Sequence, residues 1–363
     1  MKRWADLETP CVLIDVDRME RNIARTAGWA QARGVRLRPH AKTHKVIEVG
    51  RRQLQAGARG LSVAKGSEAE VFAAAGCDDL FIAFPVVGAD KAQRLRALAE
   101  RVRLAVGVDS LEGARSLAAP FAEAGRALDV LLKVDCGLHR VGVDPEEAPA
   151  LALRLAETPG LRLRGLFTHA GQSYHQSTPE DVARVGVHEG SILAAAAEAV
   201  RALGIAVEEI SVGSTPTARH ALAVPGVTEC RPGNYVYHDA SQVSLGTCAD
   251  DDCALTVLAT VASVPAAGRA VLDAGSKTLS SDPLRPRPDG HGLVLGTRSR
   301  LQRLSEEHGV IDVAAGDTFR VGQKVRVLPN HACVVSNLHD HVWAIRGDEV
   351  VDRWAVAARG HVL

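Results

Sequence analysis

Eight short apolar runs of strand character recur along residues 35–236, and helical stretches separate most of them. The runs lie near 35–38, 61–64, 79–84, 103–108, 128–134, 163–168, 209–213 and 229–236. Between them Ser67–Ala75, Ala89–Arg101, Leu111–Ala124, Pro145–Glu157 and Val182–Leu203 are rich in Ala, Leu, Glu and Arg. Such alternation implies a parallel sheet, because parallel neighbours need a crossover. Eight units in about 225 residues fit a closed (β/α)8 barrel better than an open doubly wound sheet. No GxGxxG opens a helix after the first strand, which counts against a dinucleotide fold.

The two ends of the chain read differently. Cys11–Asp15 is a short buried strand, and Asp17 can cap a helix over roughly 18–33 that stops at Gly34. Met19, Ile23, Ala27 and Trp29 are its candidate inward residues. After about residue 245, β-branched runs alternate with Gly/Pro/Asp turns: Ala254–Val264, Ala270–Asp273, Lys324–Leu328, Val342–Ile345 and Glu349–Ala357. Helical periodicity is absent there. The expected α/β architecture is a TIM barrel over 16–245 plus a C-terminal all-β domain of 246–363 joined by 1–15.

Charge narrows the function. With 43 basic and 43 acidic residues the chain gives no reason to expect nucleic acid or a membrane surface as partner. No run approaches the roughly 18 apolar residues of a membrane span, and the first residues lack a signal-peptide core. The seven cysteines are scattered and form no CxxC pair, as expected of a reduced, cytoplasmic protein without a disulfide framework.

Chemical side chains gather where the barrel strands end, the face that carries function in such barrels. Lys42 follows the first strand within Leu37-Arg38-Pro39-His40-Ala41-Lys42-Thr43-His44-Lys45. A lysine crowded by cations and partly buried has a depressed pKa and can form a Schiff base. Arg140, flanked by Gly137 and Gly142, can anchor an anionic oxygen after the fifth strand. His169, Tyr174 and His175 follow the sixth, where His169 suits ring stacking or acid/base work. The seventh ends in Gly213-Ser214-Thr215-Pro216-Thr217, and the eighth carries Arg231-Pro232-Gly233-Asn234-Tyr235. Two donor-rich turns after the last two strands match the usual barrel phosphate site. A phosphate beside an amine-forming lysine points to pyridoxal 5′-phosphate (PLP).

A second signal lies in the β domain, at Pro329-Asn330-His331-Ala332-Cys333. Read as a strand, positions i and i+2 share a face, which sets an imidazole beside a thiolate. Two ligands do not complete a metal site, so waters, substrate or one of His339, Asp340 and His341 must fill the rest.

Jointly these motifs, with Asp273-Ala274-Gly275-Ser276-Lys277, resemble the fold-type III PLP enzymes of the alanine racemase superfamily, in the D-serine dehydratase / D-threonine aldolase branch. The resemblance spans nearly the whole chain. It implies that Lys42, not Lys45, carries PLP, that Arg140 lies by the phenolic oxygen, and that His169 packs against the pyridine ring. It implies a phosphate held by the turns at Gly213–Thr217 and Gly233–Asn234, with Tyr174 or Arg231 at the ring nitrogen. His331 and Cys333 would bind a divalent metal, zinc first, with manganese and magnesium as alternatives. Members are usually homodimers. Aldolases of the branch carry His-x-Asp at the metal site, a Tyr-His pair in place of His169-Ala170, and a Gly-Gly-Gly-Thr turn in place of Gly213-Ser214-Thr215-Pro216. At all three places this chain has the D-serine dehydratase pattern. The expected function is therefore a PLP- and metal-dependent lyase acting on D-3-hydroxy amino acids, leaning to dehydration. The rivals are a D-threonine aldolase (with His175 or His169 as base), an amino-acid racemase, and a non-enzymatic PLP-binding protein.

Overall fold

The structure, a computed structural model, describes residues 2–286 and 288–363. All eight expected barrel strands form: Arg36–Leu37, Leu61–Val63, Asp79–Ile82, Arg103–Val108, Leu128–Lys133, Leu161–Phe167, Glu209–Val212 and Glu229–Cys230. From the second strand onward each pairs in parallel with the next, the first pairs with the last through Arg36 opposite Glu229, and a single parallel bridge of His40 with Ser62 joins the first to the second. Pro39 ends the first strand, as its missing donor requires. Its carbonyl still accepts the Ser62 N–H at 2.8 Å, so the sheet closes on itself.

Outside the barrel, Leu, Val and Ala of the strands pack on the helices. Its interior holds Phe81, Leu131 and Phe167, with Phe81 and Phe167 edge to face at 5.0 Å. Beside them Arg38 is buried and pairs with Glu229 and Asp79. That pairing takes Arg38 out of the cations expected to crowd Lys42. Lys45 is likewise taken, 3.3 Å from Glu68. His44 is buried between the Val46 carbonyl and Gln53.

The second sheet has nine strands. Cys11–Asp15 joins it, antiparallel to Leu255–Ala266 and parallel to His341–Arg346. Three strands escaped the sequence reading: Gly292–Val294, Arg300–Leu304 and Arg300's partner strand Gly309–Asp312. The absence of helix after residue 245 is also corrected, by Ser276–Leu279 and Ala332–Leu338. The first helix is Val16–Gln31, and its cap is Asp15 rather than Asp17, with Asp15 accepting the Arg18 N–H. Of its proposed inward residues Met19 and Ile23 are buried, while Ala27 and Trp29 are only partly so. Among the described residues no helix is long and apolar enough to cross a membrane, and all seven cysteines are free.

Candidate active site

A cavity of about 360 Å³ opens between the barrel mouth and the second sheet. From the barrel, Lys42, Arg140, His169, Tyr174, His175, Ser214, Thr215, Arg231, Gly233 and Asn234 line it. From the other side come His331 and Cys333. Three expected residues do not reach it. Gly213 lies behind the wall at φ +123°, donating its N–H to Glu189 and accepting from His169 Nδ1 at 3.1 Å. The Thr217 hydroxyl turns away and donates to Glu189 at 2.7 Å. The Tyr235 hydroxyl accepts from Gln53 at 3.0 Å on the far side of the strand end. These turns therefore present fewer side-chain hydroxyls to the cavity than their sequence promises. The backbone N–H groups of Thr215 and Gly233 have no acceptor among the described residues, which leaves donors for a phosphate.

Lys42 sits in the short turn Ala41–Thr43 just after the first strand. Burial holds its amine below the ordinary lysine value, helped by Arg140 and Arg231 and opposed by Cys333 and Glu68. Burial, rather than the neighbouring cations of the motif, is thus the leading cause. His169 is held well below its ordinary value by burial, then by Lys42 and Lys133. Its Nδ1 contact to the Gly213 carbonyl fixes the ring and leaves Nε2 free. Arg231 is buried and spends Nε on Ser211 Oγ at 2.7 Å and Nη2 on the Thr168 and Ser211 carbonyls. Burial raises the Tyr174 phenol, which stays neutral.

The metal candidates meet by a route the strand reading did not foresee. The strand ends at Pro329, His331 is extended as the N-cap, and Cys333 lies in the first turn of helix Ala332–Leu338. The pairing i, i+2 therefore arises at a helix start. Burial opposes ionisation of Cys333, yet His331 and the Thr43 hydroxyl outweigh it and hold the thiol below its ordinary value. Burial likewise disfavours charge on His331, but Cys333 and Asp282 push it up to about 11. Asp282 Oδ2 lies 2.5 Å from His331 Nδ1, the carboxylate–histidine arrangement that orients a ligating ring. An imidazole oriented through Nδ1 by Asp282, beside a thiolate-prone cysteine, fits a divalent metal. No group of three or more ligands forms among the described residues, so the protein would supply these two. His339, Asp340 and His341 contact Thr278, Arg359 and Arg353 instead.

Sequence reasoning missed His40, Thr43, Asp239, Ser241, Asp282 and Arg285 in the cavity wall. His40 and Thr43 stand in the first motif, and their spacing around Lys42 was the available signal. Asp282 and Arg285 lie in a Pro-rich segment that reads only as a turn. Asp239 carried no signal.

Barrel, second sheet and a lysine-bearing cavity between them define a PLP enzyme of the alanine racemase type. The "Alanine racemase, N-terminal domain" family model matches residues 14–241, and a serine dehydratase domain model matches residues 254–345. The chain belongs to this family of PLP-dependent lyases acting on D-amino acids, the dehydratases and aldolases of the alanine racemase superfamily. It is 39% identical to the D-threo-3-hydroxyaspartate dehydratase of Delftia sp. (strain HT23), over 96% of this chain and 97% of that one. It is 36% identical to a D-threonine aldolase of Arthrobacter sp, over 98% and 94%. The solved D-threonine aldolase of Filomicrobium marinum superposes with a TM-score of 0.93 at 33% identity, covering 100% of this chain and 99% of that one. An alanine racemase from Bacillus anthracis, at 16% identity and a TM-score of 0.70, shares the fold.

Proposed function

We propose that the chain eliminates water from D-3-hydroxy amino acids, giving a 2-oxo acid and ammonia. The observation that carries this reading is the cavity shared by Lys42 and the His331/Cys333 pair, with Cys333 the largest charge influence on the Lys42 amine. PLP, when bound, acts as the electron sink for charge developing at Cα. A divalent metal on His331 and Cys333 would act as a Lewis acid toward the β-hydroxyl.

The protein's own groups do the rest. Lys42 would hold PLP and, with its depressed pKa, would serve as the base for the α-proton. Arg140, which borders the cavity, would lie by the phenolic oxygen. His169, its ring fixed by the Gly213 carbonyl, would pack on the cofactor ring. Ser214, Thr215, Gly233 and Asn234 would cradle the phosphate, with Gly213 and Thr217 shaping that turn from behind. Either Arg231 or Tyr174 would face the pyridine nitrogen. The β-hydroxyl leaves as water, and the freed enamine hydrolyses outside the cofactor to the oxo acid and ammonia. Support for dehydration over cleavage comes from the Delftia relative, and from His-x-Cys, His169-Ala170 and Gly213-Ser214-Thr215 together. The aldolase reading keeps one supporting observation, the 36% identical Arthrobacter relative. In that chemistry His175 or His169 would take the hydroxyl proton.

The deciding experiment supplies PLP and zinc to the purified protein and assays products from D-serine, D-threonine and D-threo-3-hydroxyaspartate. Oxo acid with ammonia is expected. Glycine with an aldehyde from the same substrates overturns the dehydratase reading in favour of retro-aldol cleavage.

A further inference from the structure

Three cationic side chains lining the cavity lack an ion-pair partner among the described residues: Lys42, Arg140 and Arg285. Arg231 is spent on Ser211 and Thr168. The two carboxylates of the wall are also spent. Asp239 accepts three N–H groups, from Asn234, Gln242 and Ala332. Asp282 is bonded to His331. On the proposed reading Lys42 and Arg140 are committed to the cofactor, so Arg285 is the cation left over.

Its position is built. The preceding Leu284 is buried in a small cluster with Ala240, Cys253 and Leu328. The Arg285 N–H donates to Ser241 Oγ at 3.2 Å, and Ser241 is itself buried. Three residues earlier, Asp282 is tied to His331. The backbone leading up to Arg285 is thus held, and Arg285, itself exposed, lines the cavity close enough for its charge to act on Asp282, the partner of His331. Guanidinium groups recognise carboxylates by paired, charge-assisted hydrogen bonds.

We propose that Arg285 is a specificity residue for an acidic substituent on Cβ, so that the preferred substrates are D-3-hydroxy amino dicarboxylates rather than D-serine. The proposal rests on the reading that the β-hydroxyl faces His331 and Cys333, because that orientation brings the Cβ substituent to the Arg285 side. An unbranched hydroxymethyl group leaves the guanidinium without a partner.

The test compares kcat/KM for D-threo-3-hydroxyaspartate and D-serine in the wild type, Arg285→Gln and Arg285→Lys, all loaded with PLP and zinc. The expected result is a wild-type preference for the dicarboxylate that Arg285→Gln lowers by about 10- to 100-fold, the scale of a hydrogen bond to a charged group. The loss should appear in KM, with Arg285→Lys in between. An equal loss on both substrates overturns the proposal, since Arg285 would then serve the α-carboxylate or the fold. A second readout is independent of turnover: titration of the PLP-loaded protein with D-aspartate and D-alanine, followed by the cofactor's visible spectrum. Arg285→Gln should weaken D-aspartate selectively. If neither hydroxy acid is dehydrated, the lyase reading fails, while the D-aspartate titration still decides the subsite.

Discussion

The carboxylate of Asp239 accepts the backbone N–H of Ala332 at 2.9 Å, across 93 positions of sequence. The same Oδ2 takes the Asn234 amide, and Oδ1 caps helix Ala240–Ser244 through Gln242 at 3.0 Å. One buried side chain therefore pins the turn after the last barrel strand to the segment that carries His331 and Cys333. Asp239→Ala removes the acceptor of three donors. Zinc affinity should fall by at least about tenfold, as for other outer groups that orient ligands, in a chelator competition on the purified protein. An unchanged affinity would show that the helix Ala332–Leu338 holds its pair alone.

The link between Asp282 and His331 makes a parallel expectation. Asp282→Asn should cost about 10- to 100-fold in zinc affinity. His331→Ala and Cys333→Ala should each cost more, because a ligand itself is lost. Activity of all three should recover in part at high zinc, and failure to recover would separate them from a metal role.

Lys42 and Lys45 give opposite outcomes. Lys42→Met should abolish the visible absorbance of a PLP Schiff base and lower activity by at least about 10²–10⁴-fold, the range of a lost acid/base group. Lys45→Met should keep the absorbance, because Lys45 is paired with Glu68. A Schiff base retained in Lys42→Met, shown by borohydride trapping and peptide mapping, sinks the assignment.

The depressed Lys42 amine also ties stability to pH in the PLP-free protein. Its folded pKa lies below the ordinary 10.5. Between the folded pKa and 10.5 the unfolded chain binds the extra proton, so stability rises with pH through that window. Below the window both states are charged, and the full penalty of burying an ammonium applies. Lys42→Met removes that penalty, so the PLP-free variant should melt higher than PLP-free wild type at neutral pH, by differential scanning calorimetry. The gap should shrink toward alkaline pH. A lower melting temperature for the variant would contradict this.

Glu189 is fully buried and accepts from the Ala170 N–H at 3.1 Å, the Gly213 N–H at 2.9 Å and the Thr217 hydroxyl at 2.7 Å. Glu189→Ala strands three donors, each costing about 1–3 kcal/mol. The expected loss is about 3–5 kcal/mol in urea unfolding, together with weaker PLP retention, since both turns are positioned through this carboxylate. A loss within 1 kcal/mol (roughly the cost of an ordinary surface change) would mean that water replaces the carboxylate.

Much of this molecule was written in local pattern. The eight barrel strands are short apolar runs, and such runs announce themselves wherever both faces of a strand are buried. Arg300–Leu304 failed to announce itself because it is an Arg-bearing strand with one fully buried residue and two of its five exposed. Ala332–Leu338 was hidden by Val334 and Val335, which favour strands in isolation, and by a cap that only the chain turn after Pro329 creates. In the site, residues at strand ends were legible because the barrel brings every such end to one mouth. The facing of each side chain was not. Thr217 looked like a phosphate ligand until Glu189, 28 residues earlier, was found holding it.

By itself, then, the sequence determined the alternation that makes a barrel, the lysine and histidines at its mouth, and the two metal-ligand types in the second domain. Periodicity and residue chemistry are local properties, so they survive without coordinates. Tertiary structure alone decided which cations remain free. Arg38 met Glu229 and Asp79, Lys45 met Glu68, and Arg231 met Ser211 and Thr168. Those pairings join residues far apart in the chain, and burial makes each one obligatory, because a buried charge without a partner is costly. What they leave without an ion-pair partner among the described residues is Lys42, Arg140 and Arg285 around one cavity.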